Sequence, residues 1–131
     1  MAKKDKLRKY SEIREFENVF SSKNHYEPLV DHCSKGCFEI RGHWRDIFKN
    51  DGPIILELAC GKGHYTNELS KMYPHKNYIG VDVKGNRIWV GAKEALEREA
   101  SNVAFLRALS TDKFITVTTI PLLIFTHTKK Q

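Results

Sequence analysis

The segment Ile54-Ile-Leu-Glu-Leu-Ala-Cys-Gly-Lys-Gly63 decides the fold of this chain. It begins with a short apolar run of the kind that forms a buried strand in a parallel sheet. Three small residues follow, Ala59, Gly61 and Gly63, and they let the chain turn tightly. The segment therefore predicts a strand, a tight turn and a helix that ends before Pro74.

The same alternation continues downstream of this turn. Asn77 to Asp82 predicts a second strand, Asn86 to Glu99 a second helix and Asn102 to Arg107 a third strand. Strands and helices that alternate in this way form right-handed crossovers, a parallel sheet and helix layers on both faces. We therefore predict an α/β fold of the Rossmann-like type.

Residues 1–52 are predicted to form a lead-in to this core, which comprises residues 53–107. Apolar residues recur every three or four positions from Leu7 to Phe20, which predicts one helix with a buried stripe: Leu7, Tyr10, Ile13, Phe16 and Phe20. Proline and glycine residues interrupt the rest of the lead-in. We expect it to be rich in loops, with one short helix around Trp44 to Phe48.

Length and composition limit the chain to a narrow class. The 131 residues suffice for one modest globular domain. No apolar run approaches the roughly 18 residues needed to cross a bilayer, and the charged start does not resemble an export signal. These features predict a cytoplasmic protein, without a membrane partner, whose three cysteines are reduced.

The basic charge is concentrated at the start of the chain. Residues 3–9 carry five cations against Asp5, which gives +4 of the net +6. Such an arm suits nucleic-acid phosphates, because neutralising them releases counterions. A solvated terminus accounts for the same charges, and considered alone the arm favours that explanation.

The turn and an acid downstream predict a nucleoside site. Small residues let a ligand approach the backbone beside a helix N-terminus. Asp82 ends the second strand 21 residues after Gly61, where a carboxylate accepts hydrogen bonds from ribose hydroxyls in doubly wound folds. Glu57 would attract a positively charged ligand and repel a pyrophosphate. The predicted cofactor residues are therefore Glu57, Ala59, Gly61, Gly63 and Asp82.

A dinucleotide site is the alternative to weigh. Its fingerprint requires a third glycine three residues after Gly63, where this chain has Thr66. That departure disfavours a nicotinamide cofactor. A plain strand-to-helix turn, with Glu57 and Asp82 exposed, is less consistent with the combined spacing.

Three blocks, Ile55–Gly63, Asn77–Gly85 and Ser101–Arg107, resemble the bacterial tRNA (guanine-N7-)-methyltransferase family in order and spacing. The resemblance covers residues 50–107 well and residues 1–20 loosely. It implies a class I methyltransferase fold and methyl transfer from S-adenosylmethionine to guanine N7 in the tRNA variable loop. It also implies that Glu57 and Asp82 bind the methionine and ribose ends of the cofactor above Gly61 and Gly63.

The same resemblance implies tRNA as the partner. The candidate RNA-binding residues are Lys3, Lys4, Lys6, Arg8, Lys84 and Arg87. A solvated helix face is the favoured alternative for Lys84 and Arg87. No catalytic side chain is assigned, because guanine N7 already offers a lone pair and alignment is the main requirement.

The resemblance ends after Arg107. The family has a polar residue where Leu109 stands here, and then a strand ending in Phe-Pro-Asp-Pro; residues 125–129 lack that carboxylate. We expect an incomplete C-terminal half and a divergent tail over residues 108–131 that arises from a shifted reading frame. In this tail, Leu122 to Thr126 is expected to cover the edge of the first strand. Two functions stay open: a weakly active or inactive methyltransferase, or a non-catalytic fragment that binds cofactor or RNA.

Other reactive residues have simpler explanations. His32, Cys33, Cys37 and His43 fit zinc-site spacing poorly, so no metal is predicted. Cys60 is expected to be a small buried residue of the turn. The helix after the turn is predicted to bury the stripe Tyr65, Leu69 and Met72.

Overall fold

The computed structural model describes residues 2–24, 26–27 and 29–109, together with one strand near the end of the chain. Within these residues the strands are β1 (Val19–Ser22), β2 (Leu29–His32), β3 (Gly36–Glu39), β4 (Ile54–Leu58), β5 (Asn77–Asp82), β6 (Val103–Arg107) and β7 (Leu122–Thr126). The helices are α1 (Lys3–Glu12), α2 (Trp44–Phe48), α3 (His64–Met72) and α4 (Gly85–Glu97), and a 3-10 helix (Ile13–Glu15) follows α1.

The described strands form one seven-stranded sheet in the order β3-β2-β1-β6-β5-β4-β7. β1, β6, β5, β4 and β7 pair in parallel, whereas β2 and β3 extend the sheet with antiparallel pairs. The predicted α/β fold with a parallel sheet is confirmed. The expected pairing of Leu122–Thr126 with the edge of the first core strand is also confirmed, in the register Ile54 to Leu122.

Alternating side chains give the sheet two apolar faces. On one face, Ile79 and Val81 pack in a cluster with Trp44 and Phe48 of α2. On the other face, Phe105 belongs to a second cluster with residues of α4, among them Ile88 and Ala92. Because side chains point to opposite faces at successive positions of a strand, a continuous apolar run can serve both layers. Helices thus cover both faces, as predicted.

The lead-in differs from its prediction. The helix does not continue to Phe20: α1 ends at Glu12, and Phe20 lies in β1. Leu7 is 61% exposed and Tyr10 41%, so the predicted buried stripe is wrong at these positions. The chain leaves the helix because its backbone pairs with β6, where Phe105 N–H donates to the carbonyl of Asn18 at 2.8 Å. Long-range pairing here overrides a local helical period.

Two further features of the lead-in are informative. The loop-rich expectation is wrong for residues 21–39, which contain the end of β1 and the whole of β2 and β3. The short helix at Trp44–Phe48 is confirmed. Most of the predicted tail lies outside the described residues; only residues 108–109 and the strand β7 belong to them.

Helix α3 is buried on the face opposite to the one predicted. Of the predicted stripe, Tyr65 and Met72 are 62% and 63% exposed and Leu69 is half-buried, so none of the three is a fully buried core residue. The buried residues of α3 are instead Thr66, Asn67 and Ser70. Their polar groups have partners: the Asn67 amide donates to the carbonyl of Gly91 on α4 at 3.1 Å, and the Ser70 hydroxyl donates to the carbonyl of Asn67 at 2.7 Å. A polar helix face can be buried when its hydrogen bonds are satisfied.

None of the helices in the described part of the chain has the length and apolar character that crossing a bilayer would require.

Candidate functional site

The turn between β4 and α3 is built from left-handed backbone positions. Ala59, Gly61 and Gly63 have φ values of 56°, 60° and 75°. This conformation suits glycine but costs an L-residue such as Ala59 about 1 kcal/mol. The Cys60 N–H donates to the carbonyl of Val81 at 2.8 Å and thereby attaches the turn to β5. Cys60 itself is 8% exposed and packs in the apolar cluster, as expected.

Asp82 ties this turn to the start of α4. Its carboxylate accepts hydrogen bonds from the N–H of Gly61 and from the N–H of Lys84, each at 2.9 Å. The residue is 7% exposed, so both bonds lie in a protected position at the carboxyl end of β5. A carboxylate has about four lone-pair positions, and two backbone donors leave capacity for ligand hydroxyls.

Glu57 lies on the same face of the sheet as Asp82. It is registered opposite Gly80 on β5, and Gly80 and Asp82 are two positions apart, so their side-chain directions coincide. Glu57 is 2% exposed, and its carboxylate accepts a hydrogen bond from the hydroxyl of Thr66 on α3. The structure thus brings both acids to one side of the glycine turn.

Thr66 explains a departure noted in the sequence. It occupies the place of the third glycine of a dinucleotide fingerprint, and a glycine there would remove the hydroxyl that Glu57 accepts from. Sequence reasoning missed this role. The signal that could have revealed this contact is the spacing of nine residues between Glu57 on the strand and Thr66 in the first turn of the helix.

The aromatic ring of Phe105 explains why several positions around it are glycine. An added Cβ would lie 2.7 Å from Phe105 at Gly63, 2.9 Å from it at Gly80 and 2.8 Å from it at Gly91. Such distances are too short for ordinary packing, so Phe105 requires glycine at all these positions. At Gly63 the lack of a side chain therefore serves internal packing; a role as cofactor floor stays a prediction. Gly80 was the sequence signal for this packing, since a glycine within a strand marks the close approach of another group to the backbone.

The predicted RNA-binding residues lie on two helices in contact. Lys3, Lys4, Lys6 and Arg8 are exposed on α1, Lys84 is exposed directly before α4, and Arg87 is half-buried in the first turn of α4.

Trp89 joins these two helices. Its indole N–H donates to Glu12 at 2.9 Å, and the cationic groups of Arg8, Lys9 and Lys93 lie 5.4, 4.7 and 4.6 Å from its ring centre. The structure therefore brings the two basic segments to one side of the molecule.

Arg8 is the least available of these cations. It forms ion pairs with Asp5 and Glu12, each at 2.8 Å. Its hydrogen bond to Asp5 is the main cause that lowers the pKa of that carboxyl below its usual value. Both partners are exposed, so the pairs are screened by solvent and contribute little to stability.

A second cluster of reactive side chains lies around His32. Ligand-type atoms of Glu17, His32 and Cys33 lie within 4.8 Å of one another; Cys37 and His43 do not belong to this group. The imidazole already has partners on both nitrogens: Nδ1 accepts from the N–H of Lys35 at 3.2 Å, and Nε2 lies 2.7 Å from the carbonyl of Glu17. Desolvation, followed by the nearby Glu17 carboxylate, raises the pKa of the Cys33 thiol. The cluster is therefore explained by hydrogen bonds that stabilise the β2–β3 turn.

Comparison with known proteins shows which proteins this chain resembles. A family model described as a putative methyltransferase matches residues 51–119. A tRNA (guanine-N(7)-)-methyltransferase of Christiangramia forsetii is 49% identical over 108 residues, which are 82% of this chain and 46% of the relative. The enzyme of the same name from Bacteroides fragilis is 45% identical over 105 residues, 79% of this chain and 39% of the relative. The chain spans less than half the length of these curated relatives.

A solved structure described as that of an antibiotic-related methyltransferase aligns with 53% of this chain and 37% of its own, at 19% identity and a TM-score of 0.49. The family model, in contrast, covers more than half of this chain and includes the glycine turn and both acids. The chain therefore belongs to this family of putative methyltransferases.

Proposed function

We propose that this chain carries the cofactor-binding segment of a tRNA (guanine-N7-)-methyltransferase, which transfers a methyl group from S-adenosylmethionine to guanine N7 in the tRNA variable loop. One observation carries the proposal: Asp82 holds the glycine turn and the start of α4 together while Glu57 lies on the same face. The names of relatives that are 45–49% identical over about four fifths of the chain support the substrate and the reaction.

The residues at the turn fit a positively charged nucleoside. The two buried acids, Glu57 and Asp82, flank small residues, and each acid already accepts a hydrogen bond within the protein. Asp82 would accept ribose hydroxyls with its remaining lone pairs, and Glu57 would attract the positive charge of the methionine portion. Ala59, Gly61 and Gly63 would form the floor. When bound, S-adenosylmethionine supplies an activated methyl group on its sulfonium.

The chain's own contribution is to position the two reactants. Guanine N7 attacks with a lone pair that needs no deprotonation, so no general base is assigned. Rate enhancement would come from orientation, which requires a rigid site. The turn provides that rigidity, because backbone hydrogen bonds from Cys60 and Gly61 attach it to β5.

We further infer that residues 53–107 hold the cofactor and residues 1–52 help to hold RNA. Lys3, Lys4, Lys6 and Arg8 on α1 would approach tRNA phosphates together with Lys84 and Arg87 of the adjoining segment. With tRNA as the substrate, we also propose a cytoplasmic location.

A non-catalytic fragment that binds cofactor or RNA is the second candidate. The segment Leu122–Thr126 favours it, because this strand beside β4 carries no carboxylate. The Phe-Pro-Asp-Pro aspartate that the resemblance leads one to expect is therefore missing. We expect cofactor binding with little or no turnover.

The test uses the purified chain and two independent readouts. S-adenosylhomocysteine should raise the melting temperature in a titration, whereas NAD should leave it unchanged. Incubation with labelled S-adenosylmethionine and an unmodified tRNA transcript should give little or no N7-methylguanine. A shift with NAD and none with S-adenosylhomocysteine would contradict the proposed cofactor, and robust methylation would contradict the second candidate.

A further inference from the structure

A polar cleft opens beside the proposed cofactor site. It has a volume of about 650 Å³ and lies between the end of α1 with its 3-10 extension and strands β1 and β2. Side chains on its wall include Tyr10, Arg14, Ser21, Ser22, Asp31 and Arg107. This volume lies within the range of about 300–1,000 Å³ typical of ligand sites, but the lining is mostly polar rather than apolar.

Arg107 connects the cleft to the cofactor site. It is the last residue of β6, and it is registered opposite Asp82 on one neighbouring strand and opposite Ser21 on the other. Side chains registered across parallel strands point to the same face, and neighbouring strands lie roughly 4.8 Å apart. A group bound at Arg107 would therefore lie next to the nucleoside that Asp82 is proposed to hold.

The guanidinium of Arg107 is held in place but incompletely satisfied. Its centre lies 4.7 Å from the ring centre of Tyr10, and Nη2 donates to the Tyr10 hydroxyl. Its Nε–H is buried and has no acceptor among the described residues.

Two guanidinium groups on the wall of the cleft, Arg14 and Arg107, are suitable ligands for an anion. Across the described part of the chain, neither Arg14 nor Arg107 forms an ion pair. Of the two carboxylates on the wall, Asp31 pairs with Lys23 at 3.6 Å, which offsets its charge; Glu15 is the other. A guanidinium presents parallel N–H donors that match the oxygens of a phosphate group.

We propose that this cleft binds a backbone phosphate of the RNA substrate, with Arg107 and Arg14 as its ligands and Tyr10 as the residue that positions Arg107. The inference rests on the proposed function, because it takes tRNA as the source of the phosphate. It adds a contact that fixes the RNA at the strand ends, one strand away from the cofactor. The exposed lysines of α1 would then guide the RNA, whereas the cleft determines its position.

The experiment compares Arg14→Gln and Arg107→Gln with Arg41→Gln, which removes the same charge from a partly exposed arginine that pairs with Glu39 outside the cleft. Binding of a fluorescent, unmodified tRNA transcript is measured by anisotropy across a salt series, and binding of S-adenosylhomocysteine by calorimetry. Each cleft variant should weaken tRNA binding about 5- to 20-fold at about 100 mM salt and lower the salt slope by about 1. Arg41→Gln should stay within about twofold of the wild type, a change too small to signal a lost phosphate contact.

The outcomes separate this inference from the proposed function. Unchanged tRNA affinity and salt slope in both cleft variants, with the wild type binding tRNA, would overturn the cleft alone. A wild type that binds neither tRNA nor S-adenosylhomocysteine would overturn the function and the cleft together. A third outcome is that guanosine monophosphate binds the wild type but not Arg107→Gln, while tRNA does not bind at all. The cleft would then be a site for a free nucleotide, and the proposal would be overturned. Arg14 is exposed, so its variant remains a valid test if Arg107→Gln fails to fold.

Discussion

The hydroxyl of Thr66, on the first turn of α3, donates a hydrogen bond to the carboxylate of Glu57, which is buried in β4. This contact joins the strand before the glycine turn to the helix after it. A buried carboxylate is costly unless hydrogen bonds satisfy it. The pair therefore lets an acid stay buried beside the proposed cofactor site.

Replacing Thr66 with valine should destabilise the protein by about 1–3 kcal/mol, because the Glu57 carboxylate loses a donor that water cannot easily replace. Thr66→Ser retains the hydroxyl and should cost less. Urea denaturation of both variants measures the difference. Equal stability of Thr66→Val and the wild type would show that the hydrogen bond contributes nothing.

Asp82→Asn should weaken S-adenosylhomocysteine binding at least about tenfold, which corresponds to about 1.4 kcal/mol. The amide loses the charge and turns one acceptor into a donor that faces the N–H of Gly61 or Lys84. The matched control is Asp46→Asn, on an aspartate whose side chain is 82% exposed on α2. Calorimetry gives the dissociation constant of S-adenosylhomocysteine for each of the two variants. If the values for Asp82→Asn and Asp46→Asn agree within twofold, the assigned role of Asp82 is ruled out.

Gly80→Ala should destabilise the protein by about 1–3 kcal/mol through overpacking. The new Cβ would lie 2.9 Å from the Phe105 ring and 3.0 Å from Cys60 Sγ, both of which are side-chain atoms. Adding Phe105→Leu should recover part of the loss, since the double variant removes the obstructing ring edge.

A double-mutant cycle with urea denaturation measures this coupling. The φ of Gly80 lies outside the left-handed region, so an alanine there meets the neighbouring side chains without that backbone strain. Strictly additive effects of Gly80→Ala and Phe105→Leu would contradict the packing explanation.

Stability should fall at alkaline pH because of Tyr78. Burial raises the pKa of this phenol above its ordinary value of about 10. Above about pH 10 the unfolded chain therefore loses this proton before the folded protein does. The contribution to stability is complete below that pH and is lost as pH rises through the folded pKa. Urea denaturation at about pH 8.5 and 10.5 should show a shallower decline for Tyr78→Phe than for the wild type, and identical declines would refute the assignment.

Local sequence determined the core of this fold. The apolar run Ile54–Leu58, the small residues after it and the acid at Asp82 correctly predicted a strand, a turn, a helix and a second strand. They did so because short-range chemistry controls these features: glycine permits left-handed turns, and apolar runs of this length fit buried strands. The covering of the β4 edge by β7 also followed from local pattern, since an uncovered apolar edge needs a partner.

Only the tertiary structure decided which faces are buried and which side chains meet. The helical period from Leu7 to Phe20 gave way to strand pairing with β6, because a free sheet edge offers backbone hydrogen bonds that a helix end does not. Helix α3 buries Thr66, Asn67 and Ser70 instead of its apolar stripe, because Glu57, Gly91 and Arg98 supply their partners. The contact of Tyr10 with Arg107 spans 97 residues of sequence and depends on how α1 docks, so no local pattern could reveal it.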